Sequence, residues 1–304
     1  MNEIRLEELE SLWKTEFFTA TKERARNFDF RYEFLSERDQ AEILSKTLAV
    51  LSSDLTESGS HRVASWEQGW GENLLEFSKS GALGNLIPKY FGKYQISRYR
   101  QQWIRPHDPM LEYNLLCLLT DWLACKYFAS VGSIFEFGAG TGHNLLRLRQ
   151  IFPEANLMGL DWATSSQKCI TKLAFDTNDD KLLGRKFNFF EPDYNLDLGR
   201  GDGVVTIAAL EQVGDSYQFF LDFLMLKNVK IVLHIEPIIE VLESDNLLDN
   251  LSIQYMEKRR YLNGMLKYLQ ELESAGLIEI FQVQRSWVGS LFLDGYTIIA
   301  WRPI

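Results

Sequence analysis

With 304 residues, 46% of them hydrophobic and 24% charged, the chain has the length and composition of one large globular domain or two ordinary ones. A net charge of −10 repels phosphate backbones, so nucleic acid is not expected as a partner. Cys117, Cys125 and Cys169 lack metal or dithiol spacing, the polar start is no signal peptide, and the apolar run 115–128 is too short for a bilayer; together these predict a cytoplasmic protein with no metal and no membrane contact.

Residues 1–128 read as mostly helical. Leu6, Leu9, Leu12, Trp13, Phe17 and Phe18 recur at helical spacing, as do Ile43, Leu44, Leu48 and Leu51. Ser58 to His61 reads as a loop. Residues 85–109 look irregular and aromatic-rich, with Tyr90, Phe91, Tyr94, Tyr99 and Trp103. A long apolar helix is predicted over 110–128.

Beyond residue 130, short apolar runs alternate with helical patterns. Strands are predicted at 133–137, 156–160, 187–190, 204–208, 231–235, 277–283 and 296–301. Helices are predicted at 144–151, 165–174, 217–226 and 255–275. Such alternation builds a parallel sheet covered on both faces. The basic run Glu257-Lys258-Arg259-Arg260-Tyr261 reads as either an exposed helix face or a lid contact.

The most informative stretch is Glu136-Phe137-Gly138-Ala139-Gly140-Thr141-Gly142-His143-Asn144, placed between a strand and a helix. Glycines suit a sharp turn where backbone must touch a ligand. The third glycine comes one residue earlier than in the dinucleotide fingerprint G-x-G-x-x-G, and an acidic residue precedes the first by two positions. The segment resembles motif I of class I methyltransferases that use S-adenosylmethionine (SAM). Asp161, in Gly159-Leu160-Asp161-Trp162, lies 19 residues after Gly142, the spacing of that family's ribose-binding acid. The resemblance covers about residues 130–303. It implies an α/β fold: a Rossmann-like, mostly parallel seven-stranded sheet with helices on both faces over 129–304, preceded by an N-terminal helical cap over 1–128.

It also implies SAM as cofactor and an oxygen or nitrogen of a small-molecule or sugar-like acceptor as substrate. Glu136, Gly138, Gly140, Gly142, His143, Asp161 and Trp162 would then hold the cofactor. Phe190 with Glu191 or Asp193 would meet the adenine at the end of the third strand. Ala209 would line the site at the end of the fourth. Glu136 as a plain strand end and Asp161 as a helix cap are the competing structural readings.

For proton removal, Glu211 follows the fourth strand, and Gln212 stands where small-molecule members often carry histidine. His234 and Glu236 end the fifth strand two residues apart, hence on one face. His234 is the expected base, with Glu236 as its partner. The aromatic stretch 90–113 is expected to shape the acceptor pocket rather than the cofactor pocket. An NAD(P)-dependent oxidoreductase and a non-catalytic SAM-binding protein are the rival readings, and a protein acceptor is left open.

Overall fold

Strands that are apolar on both faces must be covered on both faces, and the second half of the chain achieves this with one sheet. A computed structural model describes residues 1–304. Its large sheet contains β1 (Ser133–Phe137), β2 (Asn156–Asp161), β3 (Leu182–Lys186), β4 (Asp202–Ile207), β5 (Ile231–Glu236), β6 (Ile278–Arg285) and β7 (Thr297–Pro303). The order across the sheet is β3-β2-β1-β4-β5-β7-β6. β1 to β5 are parallel, while β7 runs antiparallel to β5 and β6 antiparallel to β7. The dinucleotide-binding sheet is ordered 3-2-1-4-5-6. A reversed β7 inserted beside β5 separates this sheet from that one. Strand order reverses between β1 and β4, so a crevice opens at their carboxyl ends.

The pleat divides the strand residues between two cores. Ile134, Val205, Leu233 and Ile298 face the helices Leu111–Tyr127, His143–Ile151 and Thr164–Thr177. Phe135, Phe137, Val204, Val232 and Trp301 face the helices Tyr217–Lys227 and Met265–Ser274. The helix Leu111–Tyr127 is buried almost all round from Leu111 to Ala124, as its mostly apolar sequence requires, and its buried Asp121 is paired with Arg24 and Arg147.

Three elements differ from the sequence reading. The N-terminal region carries a second sheet as well as its helices. Its strands are Asn2–Glu3, Arg31–Phe34, Gln102–Pro106, Ser97–Tyr99 and, from the far end of the chain, Val288–Gly289. These strands are too short to show alternation. The third strand of the large sheet is Leu182–Lys186, not 187–190. An edge strand needs little apolar sequence, so the aromatic run just after it carried the stronger signal. The predicted helix 255–275 is two helices, Leu247–Lys258 and Met265–Ser274, broken where Arg260 and Gly264 take positive φ of 48° and 82°.

Buried charge ties the two sheets together. Arg285 at the end of β6 donates to Asp249 at 2.5 and 2.7 Å and to Asp294 at 2.9 Å. Arg98 of the small sheet donates to the Leu248 carbonyl and to Ser252. Breaking one partner of such a network costs more than the intact network contributes.

Candidate active site

The loop after β1 is shaped by its glycines. Gly138 and Gly140 have φ of 75° and 53°, which L side chains rarely adopt. A Cβ on Gly138 would fall 2.4 Å from that of Ala209, and one on Gly140 2.9 Å from the Trp70 ring. The loop is pinned to β2 by Gly138 N–H donating to the Leu160 carbonyl at 2.7 Å. Gly142 precedes the helix His143–Ile151.

Asp161 completes the turn. Its Oδ2 accepts from Gly140 N–H and its Oδ1 from Ala163 N–H, both at 2.9 Å. Each oxygen keeps a second lone pair for a ligand. Burial pushes the carboxyl up to about 6 against these hydrogen bonds. Gly138, Gly140, His143, Asp161, Trp162 and Ala209 all line one cleft of about 670 Å³.

The remaining predicted cofactor residues divide. Phe190 stacks behind Trp162 with ring centroids 5.9 Å apart. The ring that reaches the cleft is Phe189, which the sequence reading passed over. Glu191 is exposed, and Asp193 pairs with Arg185 at 3.4 Å; neither lines the cleft. Glu136 is buried beneath the loop. One oxygen accepts from Asn144 Nδ2 at 2.7 Å, the other has no partner, and burial pushes the carboxyl up to about 8. His143 is held neutral, pushed down to about 3 by burial and by Arg147.

These buried groups make a pH prediction. The folded chain keeps protons on Glu136 to about pH 8 and on Glu112 to about pH 7, whereas both free groups titrate near 4.5. His143 and His234 act oppositely, but only between about 3 and 6.5. Above pH 6.5 the raised carboxyls dominate this set, the folded state binds more protons, and stability falls as pH rises. Urea unfolding should therefore show a loss between pH 6.5 and 8, with Glu136 contributing about 1–2 kcal/mol. Glu136→Gln should flatten the slope; an unchanged slope would count against a protonated Glu136.

The N-terminal region closes the first cleft, contrary to the expectation that it serves only the acceptor. Trp66, Trp70, Pro88 and Tyr90 line the cleft beside the glycines. The helix Val63–Ser80 that carries both tryptophans is fastened to the helix Thr164–Thr177. Ser165 N–H donates to the Glu67 carboxylate at 3.0 Å, and Ser165 Oγ to the Glu67 carbonyl at 2.9 Å. Thr141 Oγ1 donates to the Leu86 carbonyl. Within the aromatic stretch, Tyr90 and Tyr94 reach a cavity, while Phe91, Tyr99 and Trp103 belong to the buried core.

A second cavity opens beside the first and shares Trp66, Tyr90, Ala208 and Gln212 with it. Ala208 at this junction holds a left-handed φ of 47°, a conformation costing about 1–3 kcal/mol that clusters at functional sites. Glu211 lines the second cavity. Its carboxyl meets that of Glu236, which accepts from Ala209 N–H at 3.0 Å and Leu210 N–H at 3.2 Å. Burial raises both carboxyls, and repulsion from Glu211 raises Glu236 further. Glu112 also lines the cavity and accepts from Tyr296 Oη at 2.8 Å.

His234 does not reach either cavity. It shares a face with Glu236 as predicted, but two residues along a strand place it about 6–7 Å deeper in the sheet. It is fully buried, its Nδ1 lies 2.8 Å from Thr206 Oγ1, and burial pushes it down to about 3. An imidazole so placed cannot meet an acceptor, which corrects its assignment as base; of the three predicted catalytic groups Glu211 is the one at the cavity wall.

No protein-family model and no curated sequence matches the chain. Solved structures do. The [4+2]-cyclase SpnF superposes with a TM-score of 0.52 at 13% identity, covering 83% of this chain and 98% of that one. The O-methyltransferase NcsB1 from neocarzinostatin biosynthesis gives 0.44 at 17%, covering 80% and 70%. Human N-acetylserotonin methyltransferase gives 0.46 at 16%, covering 80% and 65%. The chain shares its fold with SpnF. At such identities the likeness concerns the fold, and function must be argued from the site.

Proposed function

We propose that this chain is a SAM-dependent methyltransferase acting on an oxygen or nitrogen of a small molecule. The observation that supports it most is the Asp161 carboxylate, braced by Gly140 and Ala163 yet keeping lone pairs on the wall of the cleft. Those lone pairs suit a ribose diol. The faces of Trp66, Trp70 and Tyr90 suit a sulfonium cation, for which aromatic rings are good partners. Trp162 and Phe189 offer apolar surface for a purine. When bound, SAM supplies a methyl group on a neutral leaving group.

The chain's own contribution is to hold the acceptor in line from the second cavity, an effect worth up to roughly 7–11 kcal/mol in favourable cases. Trp66 and Tyr90 exclude water at the junction. Glu211, on the cavity wall with Glu236 beside it, takes the acceptor's proton. The reversed β7 and the early third glycine speak against the dinucleotide reading.

Calorimetry with SAM, S-adenosylhomocysteine and NAD tests the cofactor. The two adenosyl ligands should bind and NAD should not; the reverse pattern would sink the proposal. Because SpnF, on a similar fold, is a cyclase, release of S-adenosylhomocysteine with a hydroxylated or aminated acceptor is the readout that separates methyl transfer from mere binding.

A further inference from the structure

Fifteen buried side-chain polar atoms have no hydrogen-bond partner, and five of them belong to residues lining the second cavity. They are Arg62 Nε, Trp66 Nε1 and Arg259 Nε, which are donors, and Glu211 Oε2 and Gln212 Oε1, which are acceptors. Proteins leave few buried polar groups unsatisfied, so five such atoms on one cavity wall suit a complementary polar group. The two sets differ in charge. The donors include two guanidiniums, and the acceptors include a carboxylate.

The guanidiniums stand out further. Arg24, Arg147, Arg149 and Arg285 each pair with an aspartate. Arg62 and Arg259 form no ion pair and no side-chain hydrogen bond, although both line the cavity. They converge on one place. Burial raises the Tyr255 phenol, and both guanidiniums pull it back. Arg259 lies over the rings of Tyr255 and Tyr261 at 5.9 and 5.2 Å. Lys93, also on the lining, adds a third cation without an acidic partner. Tyr255 and Phe292 stack at 5.0 Å with an interplanar angle of 8°, giving the cavity a flat aromatic wall.

We infer that the second cavity selects a flat carboxylic acid, its carboxylate held by Arg62 and Arg259 and a hydroxyl or amine presented to Glu211 and Gln212. Calling this ligand the methyl acceptor rests on the methyltransferase reading; the selection of an acid does not. A guanidinium fork matches a carboxylate in two parallel hydrogen bonds, and one already seated on aromatic faces loses little entropy in making them.

The test uses the full chain and three matched pairs of probes: 4-hydroxybenzoate, 4-hydroxycinnamate and 3-hydroxy-2-naphthoate, each against its neutral amide. Binding is read by calorimetry with and without saturating S-adenosylhomocysteine. At least one acid should bind about tenfold or more tightly than its amide. The double variant Arg62→Gln, Arg259→Gln should lose that preference, and Arg62→Lys, Arg259→Lys should keep part of it. If no acid exceeds its amide tenfold, or if the glutamine variant retains the preference, the inference is overturned. Failure of S-adenosylhomocysteine to bind would instead count against the methyltransferase reading, because the acid–amide comparison stands without it.

Discussion

Asp161→Ala is expected to lower SAM and S-adenosylhomocysteine affinity by about 10²-fold or more. The side chain has two tasks in one place. It accepts from Gly140 and Ala163 N–H groups, and it offers the remaining lone pairs to the ligand. Each lost hydrogen bond to a charged acceptor is worth about 1.5–3 kcal/mol. The variant therefore loses loop geometry and ligand contact together. A thermal melt should also fall, because two N–H groups in the loop lose their acceptor. Asp161→Asn keeps one carbonyl oxygen and should fall between the two. Calorimetry giving wild-type affinity for Asp161→Ala would remove Asp161 from the cofactor site and return it to a purely structural role.

Glu211→Gln should cut turnover by about 10²–10⁴-fold, the usual range for a lost general base, while S-adenosylhomocysteine affinity stays within a few-fold. The cause is positional. Glu211 alone of the three predicted catalytic groups lines a cavity. His234→Gln, remote from both cavities, should leave turnover within a few-fold of the parent. The sign of the pH dependence follows from the pair. Burial raises the Glu211 carboxyl above its ordinary range. The base is the ionised form, so turnover should rise with pH through that raised value and then level off. In Glu211→Gln this rising limb should vanish. A variant that keeps both its rate and its pH limb would leave positioning, not proton removal, as the source of catalysis.

Much of this was legible in the chain itself, for reasons of local chemistry. Gly138, Gly140 and Gly142 were recognisable because the positive φ they adopt excludes other residues. Asp161 was recognisable because it stands at a fixed distance beyond them, at the end of the next strand. Strands β1, β2, β4 and β5 were legible because central parallel strands are rich in apolar residues, and the helix Leu111–Tyr127 because apolar residues dominate it.

What the tertiary structure decided is where elements end and what meets across them. Parity along β5 placed His234 and Glu236 on one face, but only the packed sheet shows that both are fully buried and that neither lines a cavity. The two-residue strand Val288–Gly289 joins residues 97–99 across nearly two hundred positions, and nothing local marks such a pairing. Nothing local singles out Trp66 and Trp70, yet docking of their helix on residues 164–177 turns them into a wall of the first cleft. Arg259 sits in a basic run on a helix face. It enters the second cavity because the chain breaks at Arg260 and Gly264, which helical periodicity on either side conceals. Sequence periodicity reports which face of an element is buried. Which partner buries it, and how deep each residue then lies, depends on contacts distant in the chain.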